Sequence, residues 1–329
     1  LNLGTKKYPF TGTIIPNLAG NQRLTTSILR TGTTPLTLTI DFDSSRWVGR
    51  STGTVVGDGE TLEFTAWKNL WSTATNPASS YAGYFTSALF PGSMAATFPQ
   101  GVGHIEWTIT SAGVVTITGK AADGTVLTGS SILWPDGQVP FYQQLYKATG
   151  SILGTAFFNP DRTVVGRLDW GKKVQPTSAR DYQAGFNATP VNIQGGVWVA
   201  PAAGQIVLGL PDAANNAEIA FANGGIETAL QFGDTDQIFR ISKTNTAIFS
   251  TIPAVNPTGM KLTINAAKGT FTGSFTLDDG GVKRPVSFDG VLLSGSSDGY
   301  GWFMLPELPL GTPPNSKIQS GSVTLQPHP

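Results

Sequence analysis

Cysteine is absent from the 329-residue chain, so there is no disulfide framework, no thiolate zinc site and no cysteine nucleophile. Histidine is almost as scarce: only His104 and His328 occur. A Ser-His-Asp triad would have to use His104, which follows Gly103 in an alternating segment with no Gly-x-Ser-x-Gly elbow nearby. It reads instead as a polar residue on a half-exposed strand. Charge is thin as well. Asp, Glu, Lys and Arg make up 13% of residues, about half the usual share, and 21 cations offset 21 anions. A neutral chain has no net field to hold a polyanion, and no basic patch interleaved with aromatics appears, which excludes nucleic acid as a partner. No apolar run approaches the ~18 residues of a membrane-spanning helix, so no membrane span is expected. Gly195-Gly196 and Gly224-Gly225 lack the following helix and the Gly-Lys-Ser/Thr of a phosphate loop.

What the chain does have is 40 Gly, 22 Pro and 41 Thr, with 40% hydrophobic and 10% aromatic residues. That is enough apolar surface to pack a core, and the Thr/Gly-rich balance points to an exported protein. Period-two alternation dominates. Leu36, Leu38, Ile40 and Phe42 face one way while Thr37, Thr39, Asp41 and Asp43 face the other. Ile105, Trp107 and Ile109 alternate in the same manner with His104, Glu106 and Thr108. Strand-like runs near 104–110, 114–121, 125–134, 139–146, 151–158 and 163–170 are separated by turn sequences such as Ala-Asp-Gly and Pro-Asp-Gly, giving a meander of hairpins. A second meander runs over 260–307. The one helix candidate, 69–89, is broken by Pro77 and reads as a loop followed by a strand at 84–90. The sequence therefore predicts an all-β protein of two or three antiparallel meander modules, barrel-like or sandwich. The modules divide as 1–78, 79–185 and 186–329, the first two able to form one domain.

A unit of strand, turn, Gly-bearing strand and Asp-Gly turn recurs at uneven spacing. Leu38-Thr39-Ile40, Trp107-Thr108-Ile109 and Leu262-Thr263-Ile264 lead to Asp58-Gly59, Asp123-Gly124 and Asp279-Gly280. Glycine inside a strand lets a closed sheet bend, or lets an aromatic of the neighbouring strand lie on the backbone. Phe271, Phe275, Phe288, Trp302 and Phe303 are the candidates to fill that space. Further likeness lies in Gly119-Lys120-Ala121-Ala122-Asp123-Gly124-Thr125, Pro140-Phe141-Tyr142-Gln143-Gln144-Leu145-Tyr146 and Gly150-Ser151-Ile152-Leu153-Gly154. Together with Phe271-Thr272-Gly273-Ser274-Phe275, Phe288-Asp289-Gly290-Val291-Leu292, Gly301-Trp302-Phe303 and Gly321-Ser322-Val323-Thr324-Leu325, these resemble a β-rich region of large secreted proteins of planctomycete and verrucomicrobial bacteria. The resemblance implies an exported, extracellular or cell-surface β domain, and no catalytic residues come with it.

Site candidates are few. Glu106 shares a strand face with His104, but glycoside hydrolysis needs two converging carboxylates, and a solvated strand face accounts for the pair. Calcium is weighed at Asp41 with Asp43, Asp234 with Asp236, and Asp278 with Asp279, although no EF-hand loop or nonapeptide repeat accompanies them. Trp67, Trp71, Tyr81 and Tyr84 fall in the longest irregular stretch, where rings stack on sugar faces. Trp107, Trp170 and Trp302 sit in alternating strands and read as core. No cofactor and no enzymatic activity are expected. The leading reading is a non-catalytic extracellular or cell-surface structural module that assembles with copies of itself or with neighbouring modules, as a filament, sheath or surface layer. Strand addition by segments 1–7 and 320–327 is the expected contact. The alternative is a carbohydrate-binding module with a glycan partner. Thr, Ser and Gly stand where Lys and Glu usually guard solvent-facing strands, which leaves edges without charged gatekeepers.

Overall fold

Alternation becomes strand nearly everywhere it occurs. The computed structural model describes residues 1–3, 6–16, 22–42, 49–308 and 316–328. A short hairpin pairs β1 (Asn2–Leu3) with β2 (Lys6–Lys7). An antiparallel meander follows, made of β3 (Ile14–Pro16), β4 (Gln22–Ile28), β5 (Leu36–Phe42), β6 (Arg50–Gly57) and β7 (Glu60–Trp67). Its last turn is Asp58-Gly59, both at positive φ (54° and 81°), as a two-residue hairpin requires. Arg30 and Thr34 donate to the Asp58 carboxylate at 2.6 and 2.9 Å and hold it below its usual range.

The next eight strands are β8 (Gly83–Pro91), β9 (Gly103–Ile109), β10 (Val114–Lys120), β11 (Val126–Ile132), β12 (Gln138–Leu145), β13 (Gly150–Phe158), β14 (Thr163–Lys172) and β15 (Phe186–Val197). Each pairs with its successor except β11 with β12, and β15 returns to β8, so the sheet nearly closes into a barrel. Side chains bridge the open seam. Gln143 accepts from the Thr128 amide at 2.8 Å and donates to the Val126 carbonyl at 3.0 Å, while Ser131 donates to the Pro140 carbonyl at 2.7 Å. Pro140 has no N–H to offer a ladder there. β15 begins at the 185/186 division read from the sequence, and its ladders run to β14 and β8.

A second near-barrel repeats the plan with β16 (Ala217–Asn223), β17 (Gln237–Ile241), β18 (Ala247–Ile248), β19 (Lys261–Asn265), β20 (Thr270–Asp278), β21 (Lys283–Leu292), β22 (Gly299–Pro306) and β23 (Ile318–Pro327). Here first and last strands pair and the seam lies between β18 and β19. Segment 320–327 is therefore laddered into its own sheet, by β22 up to Leu325 and by β16 from Gly321 onward. The expectation that it adds to a neighbour does not hold, because it is a strand of its own sheet with both edges paired from Gly321 to Leu325. The all-β meander architecture stands as predicted, and the only helical pieces among the described residues are three-residue 3-10 turns.

Glycines meet phenylalanines across the ladders as the strand pattern suggests. Gly273 faces Phe288, Gly290 faces Phe271 and Gly321 faces Phe303, each ring lying where a Cβ would stand, 2.1–2.3 Å away. Trp107 and Trp170 are buried in the first barrel. Trp302 departs from the core expectation. It is half-buried and packs outward against the first barrel, with its ring beside Gly124. The barrels meet there and along a small apolar seam of Ala88, Val102, Val291 and Leu293. The Val102 amide donates to Gly301 at 3.0 Å and Thr86 donates to the Leu292 carbonyl at 2.9 Å.

Candidate functional site

The five-stranded sheet differs from both barrels. Its registers line up Ile14, Leu24, Ile40, Gly53 and Phe64 in one row and Thr26, Leu38, Val55 and Leu62 in the next, on a single apolar face. Among the described residues only three, Ile28, Leu36 and Leu38, form its buried cluster, against 24 in the first barrel and 22 in the second. On the two edge strands this face is uncovered: Ile14 is 48% and Leu62 57% exposed. The opposite face is hydroxyl-rich, with rows Thr25-Thr39-Thr54-Glu63 and Arg23-Asp41-Thr52-Thr65. Among the described residues, no strand pairs with the outer edge of β3 or β7. An unpaired edge beside exposed aliphatics is a template for another chain. Within the residues concerned, Glu60 to Lys68, the sequence singles out Trp67 alone, and for sugar stacking rather than for an edge. Their signal is the alternation of Leu62, Phe64 and Ala66 with Thr61, Glu63 and Thr65.

The four aromatics proposed for sugar stacking are each engaged in contacts of their own. Trp67 packs on Trp134 with ring centroids 6.2 Å apart. Trp71 and Tyr81 meet edge to face at 6.0 Å at one end of the first barrel, where Trp71 donates to the Leu133 carbonyl at 2.8 Å. Tyr84 lies at the barrel junction, where its hydroxyl donates to Glu106 at 2.5 Å, 3.0 Å from the Lys268 carbonyl oxygen. Burial, then the Glu106 carboxylate, pushes its pKa up.

The aspartate candidates are already engaged. Asp41 takes Arg23 at 2.6 Å, and Asp43 lies outside the described residues. Asp236 accepts the Phe221 amide at 3.0 Å, and burial raises its pKa. Asp234 closes a 3-10 turn, its carbonyl accepting from Gln237 at 2.8 Å. Asp278 takes Lys283 at 2.8 Å, and Asp279 is buried against Arg284 at 2.7 Å. Among the described residues no three His, Asp or Glu side chains gather to hold a metal.

His104 is buried rather than half-exposed, because the second barrel covers the outer face of β9. Its Nε2 lies 3.6 Å from Asp289, which is bound by Lys120 at 2.5 Å, and its Nδ1 has no partner among the described residues. Burial lowers the imidazole pKa, against the raising pull of Asp289 and Glu106; Lys120 adds to the lowering. The unfolded imidazole, with a pKa of 6.5, then takes a proton before the folded one does. Stability should be complete above about pH 6.5 and fall as the pH drops below it. Urea midpoints measured over this range should slope less for His104→Gln than for the wild type.

A cleft of about 830 Å³ lies over the outer face of β13 to β15 and is lined by Phe98, Ser151, Asp169, Gly171, Lys173 and Phe186. Beneath it Lys172 is tied to Asp181 at 2.6 Å and sits 4.4 Å from the Tyr146 ring. Tyr146 donates to Asp123 at 2.5 Å, and burial raises its pKa. Tyr182, pushed up to about 12 mainly by burial, accepts the Ser320 amide at 2.9 Å. The Tyr182 hydroxyl thereby ties the β14–β15 connection of the first barrel to β23 of the second.

No known protein-family model matches the chain, and no curated protein is similar to it. Among the described residues no helix is long and apolar enough to cross a membrane.

Proposed function

We propose that the chain is a non-catalytic structural module, extracellular or at a cell surface, that assembles with copies of itself. The observation that carries this reading is the open five-stranded sheet, its outer edges unpaired among the described residues and its Ile14 and Leu62 uncovered, next to two nearly closed barrels. Zero net charge lets copies approach without mutual repulsion. Two edges with no strand paired to them among the described residues allow the sheet to extend in both directions, as a filament, sheath or layer requires. The resemblance to secreted bacterial surface proteins agrees with this reading and rests on the quoted residues alone.

The test is sedimentation velocity and negative-stain microscopy of the full chain over a concentration series. The wild type should associate as concentration rises, and Leu62→Lys, a charged gatekeeper on the apolar edge, should weaken association at least about tenfold. A wild type that stays monomeric at about millimolar concentration contradicts the reading.

A further inference from the structure

Resting on that reading, the geometry points to a specific join: we infer that β7 pairs antiparallel with β7 of a second copy about a two-fold axis through Phe64. The Lys68 amide donates to the Gly49 carbonyl at 2.6 Å, so the backbone groups of Lys68 point towards β6. Backbone direction alternates along a strand, so Glu60, Leu62, Phe64 and Ala66 also point inward, leaving Thr61, Glu63, Thr65 and Trp67 to present their N–H and C=O groups to the free edge. An added strand must hydrogen-bond to this second set. Keeping the apolar face continuous requires even residues opposite even ones, which excludes every odd shift of register.

Among the remaining registers, charge and size decide. Centring the axis on Glu63 puts two carboxylates directly opposite. Centring it on Thr65 puts Leu62 opposite Lys68 of the partner subunit. Centring it on Phe64 places Thr61 opposite Trp67 of the partner subunit and Glu63 opposite Thr65 of the partner subunit as hydrogen-bonded pairs. The same register puts the exposed Leu62 opposite Ala66 of the partner subunit. It also sets the exposed Glu60 opposite the exposed Lys68 of the partner subunit, a complementary pair made twice by symmetry. Phe64, lying over Gly53, meets its own copy in a non-hydrogen-bonded pair. The product is one ten-stranded sheet in which Leu62 is covered on its open side.

The cysteine-free chain makes the register directly readable. Non-hydrogen-bonded partners have Cα atoms about 4.5 Å apart, within the disulfide range. In single-cysteine variants at positions 62 to 66 of the full chain, mild oxidation should link Phe64→Cys into a dimer far faster than its neighbours. Charge reversal gives a second reading that leaves the apolar face intact. Glu60→Lys or Lys68→Glu alone should weaken dimerisation about tenfold, and the two together should restore it. Linking that peaks at Glu63→Cys or Thr65→Cys, or single charge reversals that associate like the wild type, overturns the Phe64-centred join while leaving self-assembly standing. Absence of any association in sedimentation overturns both.

Discussion

Asp279→Leu should lower the stability of the chain by about 3–5 kcal/mol in urea denaturation. Asp279 and Arg284 bury their side chains to 2% and 0% exposure and meet at 2.7 Å. The guanidinium also donates to the Pro306 carbonyl at 2.8 Å, and the carboxylate accepts the Leu230 amide at 2.9 Å. Removing the carboxylate leaves a cation in an apolar barrel end with its charge unpaired, which costs far more than the pair itself contributes. Adding Arg284→Met should therefore recover most of the loss. The remainder reflects the Leu230 amide and the Pro306 carbonyl, whose partners are gone in the double variant. A double variant as unstable as the single would show that the burden is the lost hydrogen bonds rather than the unpaired charge.

Gly273→Ala is the second large effect, about 1–3 kcal/mol by the same measurement. Its Cβ would stand 2.1 Å from the Phe288 ring and 2.3 Å from the Lys261 carbonyl oxygen, so either the ring leaves its place or β19 moves. Phe288 also packs on Phe221 at 5.2 Å and on Phe275 at 6.4 Å, which restrains the ring. In a Phe288→Leu background the same alanine should cost less, giving a coupling energy of about 0.5–3 kcal/mol. Strict additivity would mean that the ring does not need the glycine.

Much of the strand content was legible because the side-chain period of two appears wherever one face is buried. The glycine and phenylalanine pairs were legible for a similar reason: a strand glycine between aromatics has few other uses. Closure was not. β8 finds β15 only after six intervening strands, and nothing local distinguishes that edge from the free edge of β7. His104 misled because its face alternates like a solvated one, while the cover comes from β21 and its neighbours in a separate barrel. Trp302 reads as core by its strand position, yet it projects from the second barrel to pack on the first. The aromatics from Trp67 to Tyr84 are close in sequence, but the chain carries Trp67 to Trp134, Trp71 and Tyr81 to a barrel end, and Tyr84 to the junction.

Low charge and the open sheet carry the functional account together, and amide hydrogen exchange along β7 tests it most directly. Glu60, Leu62 and Phe64 point their amides at β6 in the single chain, whereas Thr61, Glu63 and Thr65 point theirs at the free edge. Thr61, Glu63 and Thr65 should exchange fast in dilute solution and become protected as the concentration rises, with the inward set unchanged. Fast exchange of the outward amides at every concentration would contradict assembly through this edge.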